Sequence, residues 1–130
     1  MQLGYVIVYV PDVAGALSFW ERAFGFERRF LHESGTYGEL NSGDTTIGFA
    51  AHELGLDNLP SGYVRASDSL KPLGMEMALV TTDVNVGVSK AIEVGATLLK
   101  APVVKPWGQT VAYVRTPDGT LVELCTPVQG

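Results

Sequence analysis

Two acids stand inside apolar strands of this sequence. Glu76 falls in Met75-Glu-Met-Ala-Leu79, and Glu123 in Leu121-Val-Glu-Leu-Cys125. A charge set among core residues is costly unless it is paired or binds something. Successive side chains of a strand alternate between its two faces. Glu123 is therefore expected opposite Val122 and Leu124, which would pack on a helix. Glu76 is expected to share its face with Ala78 and Val80, away from Met77 and Leu79. Both carboxylates should look into a cleft. Close carboxylates repel, so one can share a proton and titrate high, which suits general acid or base work, and Glu123 is the expected catalytic group. The same pair could receive a cationic or hydrogen-bonding ligand. The plainer reading is two exposed or salt-bridged acids, for instance with Arg115.

Aromatic residues surround these acids in the pattern. Tyr5 and Tyr9 lie on one strand face with Ile7. Tyr113 comes opposite Glu123 if the last hairpin turns on Pro117-Asp118. Trp107 sits in Lys105-Pro-Trp-Gly-Gln109, where Pro and Gly suggest a shaped loop. Such side chains offer stacking area with polar tips to a concave site. His52 ends the strand Ile47-Gly-Phe-Ala-Ala51 and by alternation shares a face with Gly48 and Ala50, near the mouth of the cleft. The expected ligand-binding set is thus Tyr5, Tyr9, His52, Glu76, Trp107, Tyr113 and Glu123. His32 reads as a surface residue. Cys125 lacks a histidine partner and reads as a buried, inert thiol. No phosphate-binding glycine pattern, nucleophile elbow or dinucleotide fingerprint is present. Two carboxylates make a poor zinc site, which wants nitrogen or sulfur donors and at least three of them. They suit Mg2+ or Mn2+ only weakly.

The elements that must hold these residues come as a repeat. Tyr5–Val10 reads as a strand, Asp12 as a helix cap, and Val13, Ala16, Leu17, Trp20 and Phe24 as one helical face closed by Gly25. The second half repeats the order: a strand over 76–81, Asp83 as the cap, Val84, Val88, Ala91 and Ile92 as the face, and Gly95 as the stop. Strands are expected next at 26–31 and from Thr97. Two hairpins follow, one around Asn41-Ser-Gly-Asp44 and one around Thr116-Pro-Asp-Gly119. Each half is therefore β-α-β-β-β, with helices expected at 13–24 and 84–94. The two modules span about residues 1–52 and 75–130 of one domain. A connecting loop of about 53–74, rich in Gly, Pro and Ser, joins them, either as a plain crossover or, as loops this long often are, as a lid or interface arm.

The whole chain has 130 residues, 46% of them apolar and 18% charged, with nine basic against fourteen acidic side chains and a net charge of -5. This is the composition of a globular protein. A basic face for nucleic acid is not expected. No run approaches the ~20 apolar residues of a membrane span. No signal peptide is recognisable, and the cytoplasm is the expected location. One cysteine excludes an internal disulfide.

Paired βαβββ modules ending in Thr116-Pro-Asp-Gly-Thr-Leu-Val-Glu-Leu124, with Val10-Pro-Asp-Val13, Trp20-Glu-Arg-Ala-Phe-Gly25 and Pro106-Trp-Gly-Gln109, resemble the vicinal oxygen chelate superfamily of glyoxalase I, bleomycin resistance proteins and extradiol dioxygenases. The resemblance covers nearly the whole chain. It implies an α+β fold in which two βαβββ modules form curved mixed sheets around one cleft, and it implies a homodimer. It also places the superfamily's metal-ligand positions on Tyr5, Gly48, Glu76 and Glu123. Glu123 keeps the family residue type, Glu76 sits where His is usual, Tyr5 replaces a His, and Gly48 has no side chain. Neither histidine falls on the positions of the dioxygenase triad. The expected function is accordingly a small-molecule binder of the bleomycin resistance type with no tightly bound metal cofactor. The alternatives are a divalent-metal lyase or isomerase of the glyoxalase type using Glu76 and Glu123, and an enzyme using a carboxylate base without metal.

Overall fold

Tyr5–Val10 is β-branched and aromatic, and it extends as strand β1 until Pro11 removes the next backbone donor. Asp12 then caps helix α1 (Val13–Phe24): its Oδ1 accepts from the backbone N–H of Gly15 at 3.0 Å. Gly25, at φ 77°, ends the helix. Strands β2 (Glu27–Leu31), β3 (Tyr37–Asn41) and β4 (Thr46–Ala51) follow. They form a four-stranded sheet in the order β1-β4-β3-β2, with β1 parallel to β4 and the other pairs antiparallel. Helix α1 covers one face of this sheet. Its Leu17 and Trp20 are fully buried with Val10, Leu40 and Phe49. The Trp20 ring meets Phe24 at 4.8 Å and Phe49 at 5.8 Å between centroids.

The structure, a computed structural model, describes residues 1–128 and divides into two compact units, the second beginning at Ser69. This second unit repeats the first in strand β5 (Glu76–Val80), helix α3 (Val84–Val94) and strands β6 (Thr97–Val104), β7 (Thr110–Arg115) and β8 (Leu121–Cys125). Its sheet runs β5-β8-β7-β6, with β5 parallel to β8. Asp83 caps α3 through its Oδ1, which accepts from the N–H of Val86 at 3.1 Å. The fold is α+β, with two four-stranded mixed sheets, and the helices expected at 13–24 and 84–94 occupy those spans.

The stretch read as a plain connecting loop is different. Strand β4 ends at Ala51, and His52, expected to finish it, instead opens a second helix, α2 (His52–Asn58). A 3-10 turn at Ala66–Asp68 follows. A helix of seven residues cannot hold itself in water. Contacts of α2 with β1 and β4, and of the turn with β1, hold this segment in place.

Candidate functional site

In the second unit the register of the last hairpin sets the site. Val122 and Leu124 are buried, and Leu124 Cδ1 lies 3.2 Å from where a Gly87 side chain would begin, so α3 rests directly on β8. Alternation then sends Glu123 to the opposite face. Tyr113 is its partner across β7–β8, and the Tyr113 hydroxyl donates to Glu123 Oε1 at 2.9 Å. That bond, then burial, then the charges of Glu123 and Glu76 push the Tyr113 phenol up to about 12. Glu76, two residues before the Ala78 that pairs with Glu123, stands on the neighbouring strand. Although Glu76 is an exposed residue, its carboxyl is held above the ordinary carboxylate range. Partial desolvation is the first cause, followed by the charge of Glu123 and a hydrogen bond with it. Glu76 thus faces a second carboxyl that accepts from a phenol, an arrangement that can take up or release a proton at a bound molecule. Cys125 is buried, and its thiol is pushed up first by that burial and then by Glu123, which keeps it protonated and unreactive.

The first unit has a counterpart. On β1, Tyr5 and Ile7 are exposed and Tyr9 is half-buried. Gly48 on β4 pairs with Ile7 on one side and Glu39 on the other. By strand position Gly48 corresponds to Glu123, Tyr5 to Glu76, and Glu39 to Tyr113. A side chain on Gly48 would begin 2.7 Å from the Tyr37 hydroxyl, so the phenol occupies that place. Tyr37 donates to Glu39 Oε2 at 2.7 Å, and Arg29 Nη1 stands 3.5 Å from Glu39 Oε1. Burial, then the bond to Glu39 and its charge, then Tyr5, raise the Tyr37 phenol far above its usual range.

The residues expected from sequence are therefore distributed between two sets. Glu76, Tyr113 and Glu123 meet in the second unit, while Tyr9 and His52 meet in the first through Tyr63. The Tyr63 hydroxyl is 2.8 Å from His52 Nδ1, and its ring stacks on Tyr9 at 4.8 Å. Trp107 is 60% exposed on the β6–β7 turn, where its indole N–H donates to Gln109 Oε1 at 2.7 Å. Sequence reading missed Tyr37, Glu39 and Tyr63. Glu39 carried the same signal as the two chosen acids, since it lies in the strand Tyr37-Gly-Glu-Leu40 and is only 8% exposed.

Glyoxalase-like metal chemistry would need donors on all four positions. Tyr5 brings an exposed phenol, Gly48 brings nothing, and the Tyr37 hydroxyl fills the space beside it. Glu76 and Glu123 remain. Among the described residues no three His, Cys, Asp or Glu side chains gather to hold an ion. Within the second unit these are two carboxylate donors, fewer than the three nitrogen, sulfur or oxygen ligands that a zinc site takes from its protein.

The chain belongs to the Glyoxalase/Bleomycin resistance protein/Dioxygenase superfamily, whose model matches residues 2–124. Among solved structures it is similar to a glyoxalase/bleomycin resistance protein/dioxygenase family enzyme from Burkholderia phytofirmans PsJN, at 27% identity and TM-score 0.78, with 99% of this chain and 100% of that chain covered. It is similar to a superfamily member from Sphaerobacter thermophilus at 26% identity and TM-score 0.68, covering 98% of each chain. A glyoxalase-related enzyme from Fulvimarina pelagi shares the fold at TM-score 0.83 and 18% identity, with 98% of this chain and 88% of that one covered. No curated protein matches the chain.

Proposed function

We propose that this superfamily member binds a small organic molecule, cationic or neutral, without a resident metal. The observation that carries the reading is the Tyr37 hydroxyl, 2.7 Å from the start of any Gly48 side chain, where the superfamily's metal enzymes place a ligand. The Glu76–Glu123 pair with Tyr113 offers a ligand two carboxyls and a phenol. A net charge of -5 favours a cationic or neutral guest over an anion. The same reading includes a homodimer, supported by the exposed apolar residues Leu3, Tyr5 and Ile7 on and before edge strand β1.

Elemental analysis of protein purified without chelator tests the metal. The expected result is no stoichiometric transition metal and a melting temperature that chelator leaves unchanged, because only an ion bound to the folded state adds stability. A melting temperature that falls with chelator and returns with Zn2+, Ni2+ or Mn2+ would overturn the proposal in favour of a metal-dependent lyase or isomerase using Glu76 and Glu123.

A further inference from the structure

The segment after β4 is closed by one buried ring. His52 is 7% exposed. Its Nδ1 bonds to the Tyr63 hydroxyl across eleven residues, and the two rings stack with centroids 5.8 Å apart. Tyr63 in turn lies flat on Tyr9, with 23° between the rings. This stack explains why Tyr9 is half-buried while Tyr5 and Ile7, on the same face of β1, are exposed. Gly55 completes the closure, because a Cβ there would come 2.5 Å from the Tyr63 hydroxyl and 2.9 Å from Tyr9 Cδ1. The second ring nitrogen, Nε2, is buried and has no hydrogen-bond partner among the described residues.

We propose that His52 is a proton-operated latch: protonation of its ring releases the strap formed by residues 53–65 from the β1–β4 end of its sheet. A neutral imidazole can bond Tyr63 through Nδ1 and keep Nε2 bare. The cation carries an N–H on both nitrogens, and the structure supplies an oxygen to only one. A buried charged donor without an acceptor is costly. The groups around the ring do not rescue it. Tyr9 from β1 and Tyr63 bring no carboxylate, and Glu53, next in α2, is exposed. Of the two charged groups that act on the ring, Arg65 opposes the proton and Asp68 favours it. Burial, the largest influence, and Arg65 together leave the ring below the ordinary histidine range.

The open strap has an ordinary histidine that takes a proton near pH ~6.5, and the closed strap takes it only at lower pH. Closure is therefore complete above that value and weakens as pH falls below it, by at most about tenfold per pH unit for one proton. Opening would uncover Tyr9 and this end of the sheet. The latch involves none of the residues of the Glu76–Glu123 site.

Amide hydrogen exchange read by mass spectrometry tests it, with exchange rates referred to unstructured peptides at each pH. Protection of peptides within 53–65 should fall several-fold between about pH 7.5 and about pH 5.5, while α1 keeps its protection. His52→Gln, which cannot titrate, should show equal protection at both values. Tyr63→Phe should lower protection already at the higher pH. Unchanged protection in the native protein, or the same loss in His52→Gln, would overturn the latch. If His52→Gln does not fold, proton NMR of the native protein decides, with His32→Gln assigning the two imidazoles. His52 should titrate below the ordinary range, and a value at or above about 6.5 would overturn the proposal.

Discussion

Glu76 and Glu123 make folding stability sensitive to a proton. The Glu76 carboxyl titrates above its usual 4.5 in the folded protein. The stabilisation this represents is complete below that usual value and is lost as pH rises through the folded one. Replacing Glu123 by Gln removes the repelling charge while keeping an oxygen for the Tyr113 hydroxyl. Glu123→Gln should therefore hold or raise stability at neutral pH, flatten its decline above about pH 4.5, and weaken ligand binding. Chemical denaturation at several pH values checks the first two outcomes. A loss of several kcal/mol with binding intact would make Glu123 a structural ion-pair member instead. At this scale the sequence was legible wherever strand register alone decides contact. The Tyr113–Glu123 bond followed from the centre of the last hairpin. Tyr37–Glu39, two residues apart on one face of β3, was open to the same alternation argument; what the sequence did not show is that the phenol fills the place of a Gly48 side chain.

The two long helices were legible to the residue because three independent signals agree on them: an Asp cap, a periodic apolar face and a closing glycine. Their caps are correspondingly testable. Asp12→Ala and Asp83→Ala should each cost about 1 kcal/mol, seen as a lower denaturation midpoint with unchanged slope. An effect near zero for both would mean that packing alone sets the helix ends. Two other elements were harder to read. Strand β6 runs on to Val104 through Pro102, which interrupts any strand pattern. It is tolerated there because β6 is an edge strand whose register shifts between Lys100 and Val103. Helix α2 is too short to show a period and contains Gly55, a poor helix former that is needed there to let Tyr63 and Tyr9 approach. Its existence rests on tertiary contact, which local sequence does not encode.

Over the whole molecule the same strand order appears twice, and this was visible as the repeat of strand, Asp cap and helix. The exposed apolar residues Tyr5 and Ile7 on edge strand β1 give a direct expectation for assembly. Light scattering at micromolar concentration should report about twice 13.9 kDa, and Ile7→Glu, a charge on an exposed apolar edge, should return the monomer. A monomeric native protein would remove the proposed dimer. The two units also differ at corresponding places: a carboxylate at Glu123 faces a phenol at Tyr113, whereas Gly48, with no side chain, faces a carboxylate at Glu39. The Tyr37 hydroxyl in that gap couples two positions of the first unit. A Glu or His at position 48 that comes first must push the phenol aside and with it the Tyr37 bond to Glu39. If Tyr37 is lost first, Glu39 stays buried without its 2.7 Å donor, with only the Arg29 contact at 3.5 Å left to it. Either single step is unfavourable and only the pair is accommodated. The phenol therefore guards the gap: a new side chain at position 48 and the loss of Tyr37 have to come together before another residue can be seated there.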